Sequence, residues 1–435
     1  MDMLERHFHI RERGSNIRQE LLGGFTMFFA AAYLVVIVAG IMAPVAGADE
    51  TAVGCLICFF AAVSCLLTGF LSNLPFAAAP GLGFALFFSQ TLVGRYGYSF
   101  SEALPVVFLS GILFLVISLT PLRECLLEAV PLPFKFAVSA GVGLMVTLSG
   151  LINAGLVTAE NNLLDMGNII SPGPLLAFAG VFITSALLLR KVPGAVLIGM
   201  FCITVLGIPF GITKIPDQMF AGWNMSFAAF HLSGVLEKGA LPFVSALLAL
   251  LLSDCFDVAG TLLGVAGDAK MTDNTGDLEG SGRAMAAVAV STCAGALAGV
   301  PNSVLLVESA VGVREGARTG LSSIVTGLLF LAAVPFVPLL GLIPGAATAA
   351  ALIVVGMGMM SGISQITWKH VEITLPCFLI IVGMPFTGSI TDGIALGCIS
   401  YVVVMVCRRR AKVVNPWMYV LAGLFVLMYV FQIIT

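Results

Sequence analysis

Asn73-Leu-Pro-Phe-Ala-Ala-Ala-Pro-Gly-Leu-Gly83 interrupts one apolar run of this chain, and Gly299-Val-Pro-Asn-Ser-Val-Leu-Leu-Val-Glu-Ser309 interrupts another. Pro75, Pro80, Gly81 and Gly83 rule out a continuous helix in the first stretch, and Pro301 and Asn302 leave only a short helical run in the second. Backbone that leaves the helix at membrane depth is tolerated only where protein or a water-filled cavity satisfies its polar groups. A matched pair of short, Gly/Pro-interrupted segments in two halves of a membrane chain is the best sequence pointer to a binding site between repeats. Setting Pro75 against Ser303 brings Pro80 level with Glu308. Pro80, Gly81 and Ser303 are therefore expected to line a substrate cavity, where half-helix ends offer free N–H groups. Close helix packing alone is the competing explanation for the small residues.

Outward from these two stretches the chain stays apolar. Of its 435 residues 59% are hydrophobic and only 10% charged, with a mean hydropathy of +1.08, which excludes an ordinary soluble domain. Runs of about 18 or more uncharged residues recur along its length, as bilayer-spanning helices require. Seven are read at about 22–42, 52–71, 75–92, 104–119, 136–156, 174–189 and 194–208, and seven more at 239–265, 284–300, 302–313, 319–340, 346–362, 371–386 and 392–407. An odd number of spans per half, joined by the loop 210–238, gives the halves opposite topologies, a 7+7 inverted repeat. The predicted fold is thus an all-α polytopic membrane protein of 14 transmembrane segments.

Loop charges test that layout. With the polar residues 1–21 placed in the cytoplasm, seventeen of the twenty Lys and Arg residues fall in cytoplasmic loops, and only Arg95, Lys214 and Lys238 fall outside. A missed or invented span would scramble this asymmetry. The first run is as long as a permanent span, so no cleaved leader is expected and the chain is placed in the cell inner membrane. Residues 408–435 carry a basic segment and a further apolar helix, which either crosses or lies along the membrane face with Trp417, Tyr419 and Tyr429 at headgroup level. The ten cysteines, Cys55 and Cys58 included, lack a pairing or metal-ligand pattern. No metal or cofactor is expected, and no nucleic-acid partner.

Three acids lie well inside the predicted spans: Asp254, Asp257 and Glu308. An ionisable group at that depth costs several kcal/mol and is by default functional. Asp254 and Asp257 share one face of the eighth helix, being three residues apart. Without a deep cation to neutralise them, the three acids desolvate and repel one another, so at least one is expected to carry a proton near neutral pH. Asp257 and Glu308 are the proton-coupling candidates, and all three are substrate candidates. A purine base suits such a site, because its ring N–H and exocyclic amine donate to a carboxylate while backbone N–H groups serve its ring acceptors. Phe256, Phe84, Phe87 and Phe28 are available to stack on a base, core packing being the alternative. Asp254 could instead bond a neighbouring helix, and Asp392 is expected to be an N-cap.

At these residues the sequence resembles the nucleobase:cation symporters, in their adenine/guanine/hypoxanthine permease branch. The resemblance covers nearly the whole chain and is carried by Leu4-Glu-Arg-His-Phe, Glu12-Arg-Gly and the Asn73–Gly83 stretch, by Asp254-Cys-Phe-Asp-Val-Ala-Gly-Thr-Leu and Glu308-Ser-Ala-Val-Gly-Val, and by Arg318-Thr-Gly-Leu, Met384-Pro-Phe-Thr and Asp392-Gly-Ile-Ala-Leu-Gly. It implies a core domain (22–120 and 239–340), a gate domain (121–209 and 341–407), and short strands in broken helices 3 and 10. It also implies a base held between Asp257 and Glu308, movement of core against gate, and often a homodimer. The chain departs from the family pattern at Ala39, Gly40, Ala85, Val300, Val304 and Leu305, which makes the expected cavity less polar. The alternatives are a uracil or xanthine permease, which would share the acids, and an anion carrier of the same architecture, which a carboxylate at 308 disfavours. An enzyme would need a nucleophile, metal cluster or phosphate motif that the sequence lacks.

Overall fold

Apolar runs at membrane depth close their backbone hydrogen bonds within helices, because no water is there to take them. The computed structural model describes residues 5, 7–120, 131–160, 163–190, 192, 194–213, 239–268, 271, 278–387 and 390–434, and it is mostly helical. Among the described residues eight helices are long and apolar enough to cross a membrane, and five shorter apolar helices accompany them. The chain is an integral membrane protein. The linker 210–238 lies largely outside the described residues, as do 121–130 at the expected start of the gate and 269–270 and 272–277 of the loop 267–283.

The first apolar run is longer than its expected bounds and bent. Helices Ile17–Ala31 and Tyr33–Ala46 meet at Ala32. Helix Glu50–Ser72 follows and ends on Asn73, a left-handed residue at φ +53° whose side chain ties three segments together. Its Nδ2 donates to the Phe8 carbonyl at 3.0 Å, and its Oδ1 accepts from Gly320 N–H at 2.9 Å. The chain then runs extended into strand β1, Ala78–Pro80, and resumes as helix Leu82–Leu86 and a π-helical stretch, Phe87–Arg95. In the second half, strand β4, Ser303–Leu305, precedes the short helix Ser309–Arg314. Both predicted interruptions are therefore real departures from helix.

β1 and β4 pair antiparallel, with Ala78 opposite Leu305, Ala79 opposite Val304 and Pro80 opposite Ser303. Each strand supplies the hydrogen-bonding edge that the other lacks. Matching the strands position for position, Ala78 with Ser303, moves the register between the halves by three residues, so that Gly83 rather than Pro80 comes level with Glu308. A second antiparallel pair, β2 (Val157–Glu160) with β3 (Leu163–Met166), lies between the spans read at 136–156 and 174–189, where the sequence reading assigns no element. The chain is thus not all-α.

Glycines set the close approaches between helices. A Cβ on Gly24 would lie 2.7 Å from the Ser322 carbonyl oxygen, and one on Gly69 would lie 2.7 Å from that of Gly320. These contacts press helices Ile17–Ala31 and Glu50–Ser72 against helix Gly320–Ala333, as small residues do between membrane helices. The last helix, Pro416–Ile434, runs back alongside Ile390–Cys407. Tyr419 donates to the Ala411 carbonyl at 2.9 Å near one end, and Tyr429 donates to Asp392 at 3.1 Å near the other. Asp392 is not an N-cap. It sits inside the first turn of its helix, 3% exposed, and is ion-paired with Arg95. A carboxylate removed from water needs a charged partner more than a helix end needs a cap.

Candidate functional site

The site is built around the paired strands. Gly81 N–H donates to the Asn302 carbonyl, and Leu306 N–H donates to the Ala77 carbonyl, both at 2.9 Å, extending the ladder beyond the two strands. On its other side β1 meets Cys65, whose thiol donates to the Ala78 carbonyl at 3.1 Å while Ala78 N–H points to the sulfur at 3.3 Å. Ser303 N–H donates to Thr292 Oγ1 at 3.0 Å, so it is not among the free donors. Its hydroxyl joins Ser64 and Ser291 in a buried cluster, with Ser64 Oγ 3.2 Å and Ser291 Oγ 3.3 Å away and the other two serines in mutual contact. The helix that starts at Leu82 has no side chain capping its first turn. The first-turn N–H groups of a helix have no partner within the helix.

Gly81 has no room for a side chain. A Cβ there would come 2.9 Å from Phe84 and 3.0 Å from Val304, across the strand pair. The expected cavity residues Pro80, Gly81 and Ser303 are thus brought together, with Phe84 laid over Gly81. Phe84 and Phe87 are buried, and Phe28 packs edge-on against Phe330 with ring centroids 5.0 Å apart. All three serve the core in this conformation. The side chain of Phe256 lies outside the described residues.

The three acids separate into two settings. Glu308 stands immediately before helix Ser309–Arg314, half-buried, and accepts a 2.5 Å hydrogen bond from the Tyr33 hydroxyl. Asp257 is half-buried on helix Ala240–Asp268, which packs against strand β4 and helix Ser309–Arg314. Asp254 is fully buried and is met by Asn302, whose amide nitrogen donates to it at 2.7 Å and also reaches Ser110 Oγ at 3.1 Å. Asp254 is therefore the acid most tied into protein structure, whereas Glu308 follows strand β4 closely and Asp257 lies on a helix packed against that strand.

Sequence reasoning did not single out Tyr33, Ser110, Ser64 or the amide of Asn302, because single neutral polar residues are common in apolar helices and only the fold reveals their partners. It also missed Glu20, which lies just before the expected first span. Its carboxylate is buried and accepts from the N–H groups of Arg318 at 2.8 Å and Thr319 at 3.2 Å, holding the residues that lead into helix Gly320–Ala333, whose N-cap is Thr319. The Arg318-Thr-Gly-Leu motif was the available signal.

Broken helices whose strands pair across the two halves of a membrane chain, with two carboxyls beside them, define the class as a membrane transporter rather than an enzyme. The chain belongs to the permease family: the model described as "Permease family" matches residues 18–396. The guanine/hypoxanthine permease PbuG of Bacillus subtilis is 37% identical over 438 residues, covering 98% of this chain and 99% of that protein. The adenine permease AdeP of Escherichia coli is 34% identical over 432 residues, covering 99% and 96%. Among solved structures, the transmembrane domain of a cyanobacterial bicarbonate transporter, BicA, superposes with a TM-score of 0.66 at 17% identity, over 87% of this chain and 97% of that one. At that identity the likeness concerns the fold alone.

Proposed function

We propose that this permease is a secondary active transporter that imports purine nucleobases such as adenine, guanine or hypoxanthine across the plasma membrane by proton symport. The observation that supports the reading is a part-buried Tyr33–Glu308 hydrogen bond just after strand β4, on which the helix carrying Asp257 packs. Two carboxyls held close at low dielectric do not both ionise freely, so proton occupancy and ligand binding become linked. A purine offers ring and amine N–H donors to the carboxyls, and acceptors to the first-turn N–H groups of the helix after Gly81. The relatives named as guanine/hypoxanthine and adenine permeases align over nearly the full length and support the same class of base. An anion, as the fold neighbour's name would suggest, is disfavoured by a carboxylate at the centre of the site.

In this reading the chain crosses the membrane fourteen times before residue 408 as a 7+7 inverted repeat, with its N-terminus in the cytoplasm. Segments 22–120 and 239–340 form the core that carries the base, and segments 121–209 and 341–407 form the gate against which it moves, often within a homodimer. Pro80, Gly81, Ser303 and Phe256 line the route. Asp254 supports it through Asn302.

Thermal-shift screening of the purified protein tests the substrate class, since a ligand that binds only the folded state raises its melting point. Adenine, guanine or hypoxanthine is expected to raise it, by an amount equivalent to about 2.7 kcal/mol at a hundred times Kd. A response to bicarbonate or sulfate, with none to purines, would overturn the reading.

A further inference from the structure

We infer that Tyr33 is a positioning residue for the substrate carboxyl: it presets Glu308 so that one carboxylate oxygen faces an N–H donor of the ligand. The inference rests on the proposed purine reading and extends it to a residue from the other half of the chain. Tyr33 opens the second part of the bent first span. There Ala32 N–H bonds the Phe28 carbonyl at 2.8 Å and Val35 N–H bonds the Ala32 carbonyl at 3.3 Å, which marks the bend. The phenol finds its partner far along the chain rather than on its own helix. Its ring is 1% exposed, and its hydroxyl ends on Glu308 Oε1.

A buried phenol needs a partner, and a backbone carbonyl nearby would satisfy it. Here the partner is a carboxylate 275 residues away in sequence, next to the strand of the opposite half. A glutamate side chain carries substantial rotamer freedom, which a ligand would otherwise have to freeze out on binding. A tyrosine is stiff, and its hydroxyl bond fixes the carboxylate beforehand, which is how preorganisation raises affinity. The phenol takes one acceptor site on Oε1, and a carboxylate, with about four lone-pair sites, can still accept from a donor on the ligand. A ligand that only accepts hydrogen bonds gains nothing from this arrangement, so Tyr33 sharpens the preference for a donor-bearing base without touching it.

The test compares wild type, Tyr33→Phe, Glu308→Gln and the double variant, using calorimetric binding of hypoxanthine and uptake into proteoliposomes. Tyr33→Phe removes one oxygen atom and is expected to weaken binding about tenfold, the scale of one hydrogen bond to a charged group. KM should rise with it, while the limiting uptake rate stays within about a factor of two, as for lost uniform binding. In the Glu308→Gln background the same change should add no further loss, because Tyr33 acts through that carboxyl. Wild-type affinity in Tyr33→Phe, an equal loss in both backgrounds, or a variant that fails to fold would each overturn the inference, the last two because they give the tyrosine another role. A wild type that binds no purine would instead defeat the underlying reading, before any variant is compared.

Discussion

Asn302 illustrates how much of this molecule turns on one neutral side chain. Its side-chain amide nitrogen bridges Asp254 and Ser110, and its main-chain carbonyl receives Gly81 N–H, so the residue joins a buried acid to the ladder that shapes the site. Asn302→Ala leaves the Asp254 carboxyl buried without its donor, at a cost of about 1–3 kcal/mol. The expected outcome is a lower melting temperature together with retained purine binding, since Glu308 and Asp257 stay in place; thermal unfolding with and without hypoxanthine measures both. A variant as stable as wild type would show that the bridge carries no weight. The acids themselves were legible in the sequence because charge in an apolar run is rare and costly. Their partners were not, because Tyr33 and Asn302 differ from their apolar neighbours by a single polar group, and each meets its acid only through the fold. Asp392 was misread for the same reason: the position near a helix start was visible, whereas Arg95 and Tyr429 lie 297 and 37 residues away.

Among the elements, proline and glycine were reliable guides to where helices break. Pro75, Pro80, Gly81 and Pro301 announce both interruptions, and a Cβ on Gly81 would crowd Phe84 and Val304, so that their side chains would have to shift. Proline positions mark where a helix cannot continue, whereas strand pairing decides which residues face each other, and it sets Pro80 opposite Ser303. The β2–β3 hairpin escaped notice since Val157–Glu160 and Leu163–Met166 are short and mixed in polarity, with neither a sustained apolar alternation nor a Gly-containing turn of the usual kind. Two apolar runs also end outside α-helix: Val334–Leu342 and Met360–Gln365 are 3-10. In the first of these, Pro335 and Pro338 lack the N–H that an α-helix would use. Hydropathy records that such stretches are buried or in lipid, and is silent about their hydrogen bonding.

For the whole molecule, one carboxylate ties distant parts together. Asp392 is held by Arg95, at the end of the stretch that begins with β1, and by Tyr429 of the last helix. In the proposed division Arg95 belongs to the core and Asp392 to the gate, so their pair opposes separation of the two. Arg95→Asp places two carboxylates together and is expected to lower both melting temperature and uptake. Exchanging the charges, with Arg95→Asp and Asp392→Arg in one chain, should recover at least part of each. Equal defects in the single and double variants would mean that the contact is incidental to both.

Purine uptake through Glu308 is tested most directly by reconstitution. Proteoliposomes with an inwardly directed proton gradient are given radiolabelled hypoxanthine, with wild-type protein in one set and Glu308→Gln in the other. Concentrative uptake that depends on the gradient is expected for the wild type, and loss of most of it for the variant at equal incorporation and melting temperature. Uptake by Glu308→Gln at the wild-type rate, or gradient-independent wild-type uptake, would contradict the assignment of Glu308 as the acid that couples base to proton.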